Sequence, residues 1–558
     1  PHTPSFFASL LPTGLNSYEW GIVRDHSFQF AKIVAKRALF HFRGVSPDCV
    51  ARAPMSTTIA IVDQPEIPDG QMHRAARTSK RPSPMSPLEA YLQPVYEHIQ
   101  RNRGAYLKRL TDYLRLPSIS TQGIGMQAVA DYLLAWLTRL GLEAELLPVA
   151  STGVNAAGER EPGWPMVLGR RLARPGAPTV ILYGHYDVQP PEPLESWTTP
   201  PFEPTVRDGR IYARGAGDNK GQHAAQLLAL EALLDVHGQL PCNVIVLLEG
   251  EEEIGSPHLA DFVRAHQEKL HADLVITSDG PISEDGQPTI EFGVRGVISF
   301  ELRANGANRD LHSGNYGGVA PNPLWTLVHL LGTMKNDQGH ILIDGFYDHV
   351  RPLSPIEREA LDRLPLDEVA VRESLGLSRF DAPVERPYFE RLSCWPTLTI
   401  NGLHGGYGGL GSKTVLPHEA VAKCDIRLVA DQRMDEIYAR VVAHVRRHAP
   451  EVEIVWQGGM DPSKTPMDSP YTEPLRQAIR SAQGVEPLLM PAMGGSLPNY
   501  VFTDLLGLPD FTVPYANADE ANHAPNENIE VERFFLGIRT GAAMLGGLGQ
   551  RPSGRMAC

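Results

Sequence analysis

Cysteine is scarce in this chain. Five occur in 558 residues, at positions 49, 242, 394, 424 and 558, and no two stand as a CxxC pair. Such spacing argues against a disulfide framework and against a thiolate zinc site, and it fits reduced thiols in a cytoplasmic protein. Long apolar runs are also lacking. No stretch approaches the ~20 residues that a membrane-spanning helix needs, so a soluble protein is expected. Basic charge is in deficit, with 51 Lys and Arg against 65 Asp and Glu and a net charge of −14. Nucleic acids and anionic membranes are bound through basic surface, so neither is an expected partner.

What is present is a chain with enough apolar residues, 42%, to build a sizeable core, and long enough for more than one domain. Residues 1–84 differ from the rest. They are irregular in periodicity, carry more Lys and Arg than Asp and Glu, and end in the breaker-rich Arg81-Pro-Ser-Pro-Met-Ser-Pro87. They are expected to be a disordered or non-native extension, with Met85 as a start. Ser86-Pro87-Leu88-Glu89 then reads as a capping box with proline at the first helical position. It opens a helical pattern that runs to Pro117, and a second amphipathic helix is expected over 126–140 with Gly141 as its stop.

Apolar, β-rich runs at 179–183, 243–248 and 273–277 alternate with helical stretches at 222–236 and 259–270. Unbroken apolar strands between helices predict an α/β fold, a mostly parallel sheet covered on both faces. Near residue 297 the pattern changes to apolar–polar alternation, in 300–303 and 423–428, as in half-buried antiparallel strands. The expected organisation is a catalytic domain in two parts, 85–296 and 463–548. An α+β domain is inserted at 297–462, and a short tail covers 549–558.

Five acidic or imidazole side chains occupy comparable places. His185 follows an apolar strand, Glu251-Glu252-Glu253 follows another, and Asp279 a third. Asp218 lies in the glycine-rich turn Gly215–Gly221 ahead of a helix, and His523 follows a late apolar run. Sites in open α/β sheets gather at the carboxyl ends of strands, so one sheet edge can collect them all. Each residue alone reads as a turn, cap or solvated loop residue; the joint placement points to chemistry. Two histidines with several carboxylates suit zinc, or manganese or cobalt. Five donors exceed the three of an open catalytic zinc site and suit two ions that share a carboxylate.

These segments are together similar to the signature set of the M20 family of metallopeptidases: Gly-His185-Tyr-Asp187-Val-Gln-Pro, Gly-Ala-Gly-Asp218-Asn-Lys-Gly, Leu-Glu-Gly-Glu-Glu252-Glu253-Ile-Gly-Ser, Ser-Asp279-Gly and Asn-His523-Ala-Pro-Asn-Glu. The branch most resembled is that of the non-specific dipeptidases and carnosinases, over roughly 100–545. The resemblance implies that His185 and Asp279 bind one metal, Glu253 and His523 the other, and that Asp218 bridges them. It implies Glu252 as general base and Asp187 as the carboxylate that orients His185. A one-residue slip among the three glutamates would change both glutamate assignments.

In the inserted domain, Asp310-Leu-His312-Ser-Gly resembles a segment whose histidine reaches the active site, often that of a partner subunit. Thr414 and Arg427 match positions that hold a substrate carboxylate, and Gly494-Gly495-Ser496 resembles a substrate-contacting loop. The implied activity is hydrolysis of the amide bond of dipeptides or short peptides, in a homodimer formed through the inserted lid domain. Family branches that deacylate N-acyl or N-succinyl amino acids share the metal set, and some relatives of the fold lack metals and serve as binding or scaffold proteins.

Overall fold

The computed structural model describes residues 86–150, 162–381 and 385–550. The extension expected at 1–84, with Met85, lies outside them, as does the tail beyond Gln550. The first helix, α1 (Pro87–Arg101), has the expected capping box. Ser86 Oγ accepts the Glu89 N–H at 3.2 Å while the Glu89 carboxylate accepts the Ser86 N–H at 2.7 Å. The helical pattern that follows is not continuous. It breaks at Asn102, whose side-chain amide donates to the His98 carbonyl, and resumes as α2 (Arg103–Leu114). The next helix, α3 (Met126–Arg139), is followed by Gly141 in the left-handed region at φ +71°.

The chain then lays down β1 (Glu143–Leu147), β2 (Met166–Arg171), β3 (Thr179–His185), α4 (Lys220–His237), β4 (Asn243–Glu249), α5 (Leu259–Ala265), β5 (Leu274–Thr277) and β6 (Thr289–Glu291). Helix α5 is shorter than expected, because a 3-10 turn at Gln267–Lys269 replaces its last turn. The second unit follows: β7 (Gly296–Asn305), α6 (Pro323–Met334), β8 (Thr397–Gly405), β9 (Glu419–Leu428), α7 (Met434–His448) and β10 (Glu453–Met460). The chain returns through α8 (Thr472–Gln483), β11 (Leu488–Met490), β12 (Asp510–Thr512) and α9 (Val531–Gly549).

The main sheet has the order β1-β2-β4-β3-β5-β12-β6-β11. Its centre, β4-β3-β5-β12, is parallel, and antiparallel strands are confined to its flanks. Alternate residues of β3 enter two different cores. Val180 and Leu182 pack with α1–α4, α8 and α9, whereas Ile181 and Tyr183 pack with α5 and the 501–505 turn. That double burial is why the run is apolar without alternation. Each fully buried Val, Leu or Ile contributes roughly 1.5–3 kcal/mol, so the strands that deliver the site residues are also the most firmly held.

The second sheet, β8-β9-β7-β10, is antiparallel throughout. Its inward residues Phe300, Leu302, Ala422, Cys424 and Ile426 meet Leu327, Leu330, Val441 and Val445 of α6 and α7 in a separate core. Two crossings join it to the main sheet, and they pair with each other, Ser463 opposite Val294. Among the described residues, no helix is long and apolar enough to cross a membrane.

Candidate metal centre and substrate-binding groups

Because β4, β3 and β5 are parallel neighbours, their carboxyl ends lie side by side, and each is followed by an acid or imidazole. His185 is the last residue of β3. Its Nε2 lies 3.1 Å from Asp218 Oδ1 and 3.4 Å from Asp279 Oδ2. His523 Nε2 lies 3.1 Å from both Asp218 Oδ2 and Glu253 Oε2. The result is two triads, His185–Asp218–Asp279 and Asp218–Glu253–His523, whose potential ligand atoms lie within 4.8 Å of one another in each. Asp218 belongs to both, one oxygen to each histidine.

The turn that carries Asp218 is set by close approaches. A Cβ on Gly217 would lie 2.1 Å from a Glu520 oxygen, and one on Gly221 would lie 2.0 Å from the Ala216 carbonyl. The backbone contact at Gly221 excludes any larger residue, whereas one at Gly217 would have to displace the Glu520 carboxylate. From the other side the buried Glu527 carboxylate accepts the N–H groups of Gly215, Gly217 and Asp218 at 2.9–3.1 Å and pairs with buried Arg214 at 2.7 Å. Asp187 works similarly on the glutamate turn. It accepts the N–H groups of Glu252 and Glu253 at 3.2 and 3.1 Å and stands 3.3 Å from His185 Nδ1. Gln189 donates to the Glu253 carboxylate at 2.9 Å.

The three consecutive glutamates have different surroundings. Glu251 turns away, accepting the Trp164 N–H and pairing with His258 at 2.7 Å. Glu253 faces His523. Glu252 is half-buried, and burial above all, with the negative charges of Asp279, Glu253 and Asp218, raises its pKa well beyond the ordinary carboxylate value against the opposing charge of His185. Burial, then Asp218, pushes Glu253 up to about 7. Asp218 goes the other way: burial would raise it, but the two histidines hold it below the usual range. His523 is carried up to about 10 by Asp218 and Glu253. On His185 burial opposes the charge, yet Asp187, Asp218 and Asp279 together raise it well above the ordinary value. A site in which Glu252 and Glu253 retain protons and both imidazoles gain them is short of positive charge. Each triad offers one imidazole and two carboxylates, a donor set that zinc, manganese and cobalt accept, so the residues present fit divalent cations.

The expected substrate-binding residues fall into two pairs. The Arg427 guanidinium, on β9, donates to Ser496 Oγ at 2.7 Å across the junction between the two sheets. His312 lies opposite Val415 in a short antiparallel pairing, with Nε2 3.4 Å from Thr414 Oγ1. His312 and Thr414 are exposed, and the polar contacts of His312 are with Thr414 and the Gly314 N–H, not with either triad.

Sequence reasoning left Glu527, Arg214 and Gln189 without roles. Glu527 stands four residues after His523 in a segment already singled out, but nothing local marks it as the acceptor for a turn more than 300 residues earlier. Glu520 was likewise unmarked. It is buried against Gly217, and neither of its carboxylate oxygens has a hydrogen-bond partner among the described residues.

Comparison with known proteins gives a consistent grouping. The family profile described as Peptidase family M20/M25/M40 matches residues 181–546. The Cys-Gly metallodipeptidase dug1 of Schizosaccharomyces pombe is 30% identical over 465 residues, 81% of this chain and 97% of that protein. The Beta-Ala-His dipeptidase of Homo sapiens is 29% identical over 475 residues, 82% and 93% of the two chains. Among solved structures, the M20 family metallo-carboxypeptidase Sso-CP2 from Sulfolobus solfataricus superposes with a TM-score of 0.74. It is 33% identical, and the match covers 80% of this chain and 99% of that one.

Proposed function

Since the chain belongs to peptidase family M20/M25/M40, we propose that it is a two-metal peptidase hydrolysing dipeptides or short peptides that end in a free carboxylate. The observation that carries this reading is the pair of triads sharing Asp218, with Glu252 next in sequence to the ligand candidate Glu253. His185 and Asp279 would hold one cation, Glu253 and His523 the other, and Asp218 both; zinc fits, as do manganese and cobalt. When bound, the cations supply an acidified water and a polarised substrate carbonyl. Glu252 accepts the proton of the attacking water and returns it to the leaving amine. Asp187 orients the His185 ring and braces the turn that carries Glu252 and Glu253.

Arg427 with Ser496, and Thr414, receive the substrate's terminal carboxylate, for which a planar guanidinium fork is suited. His312 donates to the developing oxyanion. Because it lies on an exposed pairing away from its own triads, it serves the site of a second copy. The unit spanning 297–462 is then both lid and dimerisation domain. Its edge strand β8 exposes Ile400 and Leu403, and α6 exposes Trp325 and Val328. Gly405 at the end of β8 abuts Leu324 of α6, so these residues lie on adjoining elements. An uncovered strand edge beside exposed apolar side chains is a surface that a partner covers.

The test is to strip the protein with a chelator, restore zinc or manganese, and assay a panel of dipeptides. Restored hydrolysis supports the reading. Two bound ions with no dipeptide cleavage would move the assignment to N-acyl amino acids, and failure to bind any ion would defeat it.

A further inference from the structure

The first crossing between the two units carries Arg295, a residue with no part in the site described so far. It lies between Gly293-Val294, which pairs with Ser463-Lys464, and Gly296, where β7 begins. Both flanking glycines press on the second crossing. A Cβ on Gly293 would lie 2.3 Å from the Ser463 carbonyl, and one on Gly296 would lie 2.6 Å from Pro462 N. The backbone of Arg295 is thus fixed from both sides, and the side chain is aimed from a firm base.

It reaches the loop that ends in Ser496. The Arg295 N–H donates to the Gly495 carbonyl at 3.1 Å and its Nε–H to the Gly494 carbonyl at 2.8 Å. A third bond, from Met493 N–H to the Gly293 carbonyl at 2.8 Å, anchors the start of the same loop. On its other side Gly494 is backed by Leu392, 3.2 Å from where a Cβ would stand. Two successive carbonyls claimed by one residue fix the peptide planes immediately before Ser496. The direction of the Ser496 hydroxyl toward Arg427 is therefore inherited from Arg295.

We propose that Arg295 is a positioning residue for recognition of the substrate's terminal carboxylate, tying the 494–496 loop to the crossing so that Ser496 and Arg427 meet. Arg295 is buried, and burial followed by the nearby positive charge of Arg427 lowers its pKa to about 10. Two guanidiniums bound to the same 494–496 loop gather positive charge that an incoming carboxylate would offset. The inference rests on the carboxylate-binding reading given above and adds the residue that makes that pocket rigid.

The experiment compares metal-loaded wild type, Arg295→Ala and Arg295→Lys on a dipeptide and on the same dipeptide with its C-terminus amidated. Wild type should prefer the free acid. In Arg295→Ala that preference should fall about tenfold, through KM rather than kcat, and Arg295→Lys should lie between, because it keeps a cation but not the fork. Equal losses on acid and amide would make Arg295 a purely structural residue and overturn the proposal, as would an undiminished preference in both variants. A wild type that cleaves dipeptides but favours neither form would instead overturn the carboxylate reading itself, and this inference with it. Thermal melting of each variant separates loss of fold from loss of recognition.

Discussion

The two triads share a carboxylate yet are built differently. His185 and Asp279 stand at the ends of neighbouring central strands, and the His185 side chain is 0% exposed. His523 sits on a loop, in the left-handed region at φ +55°, with its side chain 56% exposed. One half is fixed by the sheet, the other by a loop whose own anchor is a turn. Equal ligand chemistry therefore does not imply equal hold. The strand-borne half should bind its ion as part of the folded core, and the loop-borne half should exchange.

The largest effect should come from a residue that this asymmetry does not touch. Glu252→Gln should lower kcat by roughly 10²–10⁴-fold, the range of general acid–base contributions, while metal analysis still finds two ions per chain. Loss of an ion instead would make Glu252 a ligand and dissolve the division of labour in the glutamate turn. Next, Glu527→Gln should loosen the Asp218 turn and with it both halves, weakening metal affinity by about 10–100-fold, as the removal of groups that orient ligands typically does. Metal-binding titration reads this directly, and a loss confined to one ion would show that the triads are held independently.

Chelation sharpens the contrast itself. Ions should leave wild type in two steps, and His523→Ala should retain one equivalent; simultaneous release would refute the asymmetry. The smallest effect lies outside both triads. Burial pushes the Asp510 carboxyl on β12 up to about 7, against an ordinary value of about 3.9 when unfolded. The folded state then holds the proton more tightly than the unfolded one. Its stability contribution is complete below about pH 4 and is lost as pH rises towards 7. Asp510→Asn should consequently gain melting temperature over wild type progressively across that window, without changing metal content. A constant difference at all pH values would show that Asp510 is already ionised in the fold.

Much of this was legible in the sequence, for reasons that can be named. Strands buried on both faces appear as unbroken apolar runs, so β3, β4 and β5 and the groups at their ends stood out together. The Ser86 capping box is a local pattern and formed as written. Less legible were features that depend on meetings across the chain. Nothing near Glu251 shows that it turns towards His258 and the Trp164 backbone rather than the cluster. The service of Glu527 to a turn at 215–218, and of Arg295 to a loop at 494–496, becomes visible only when distant segments are adjacent. The break at Asn102 was missed because apolar periodicity carries across it, while a single side-chain amide, bonded to a carbonyl four residues back, interrupts the helix.

The distribution of the site along the chain has a consequence for biosynthesis. A polypeptide that has emerged from the ribosome only as far as the second sheet possesses His185, Asp218, Glu253 and Asp279 but neither His523 nor Glu527. Its Asp218 turn has no acceptor for its backbone N–H groups, and its second triad lacks the imidazole. Hydrolytic competence on this reading arrives abruptly, once His523 and Glu527 have been translated, so the nascent chain is inert towards the peptides around it until that segment joins the fold.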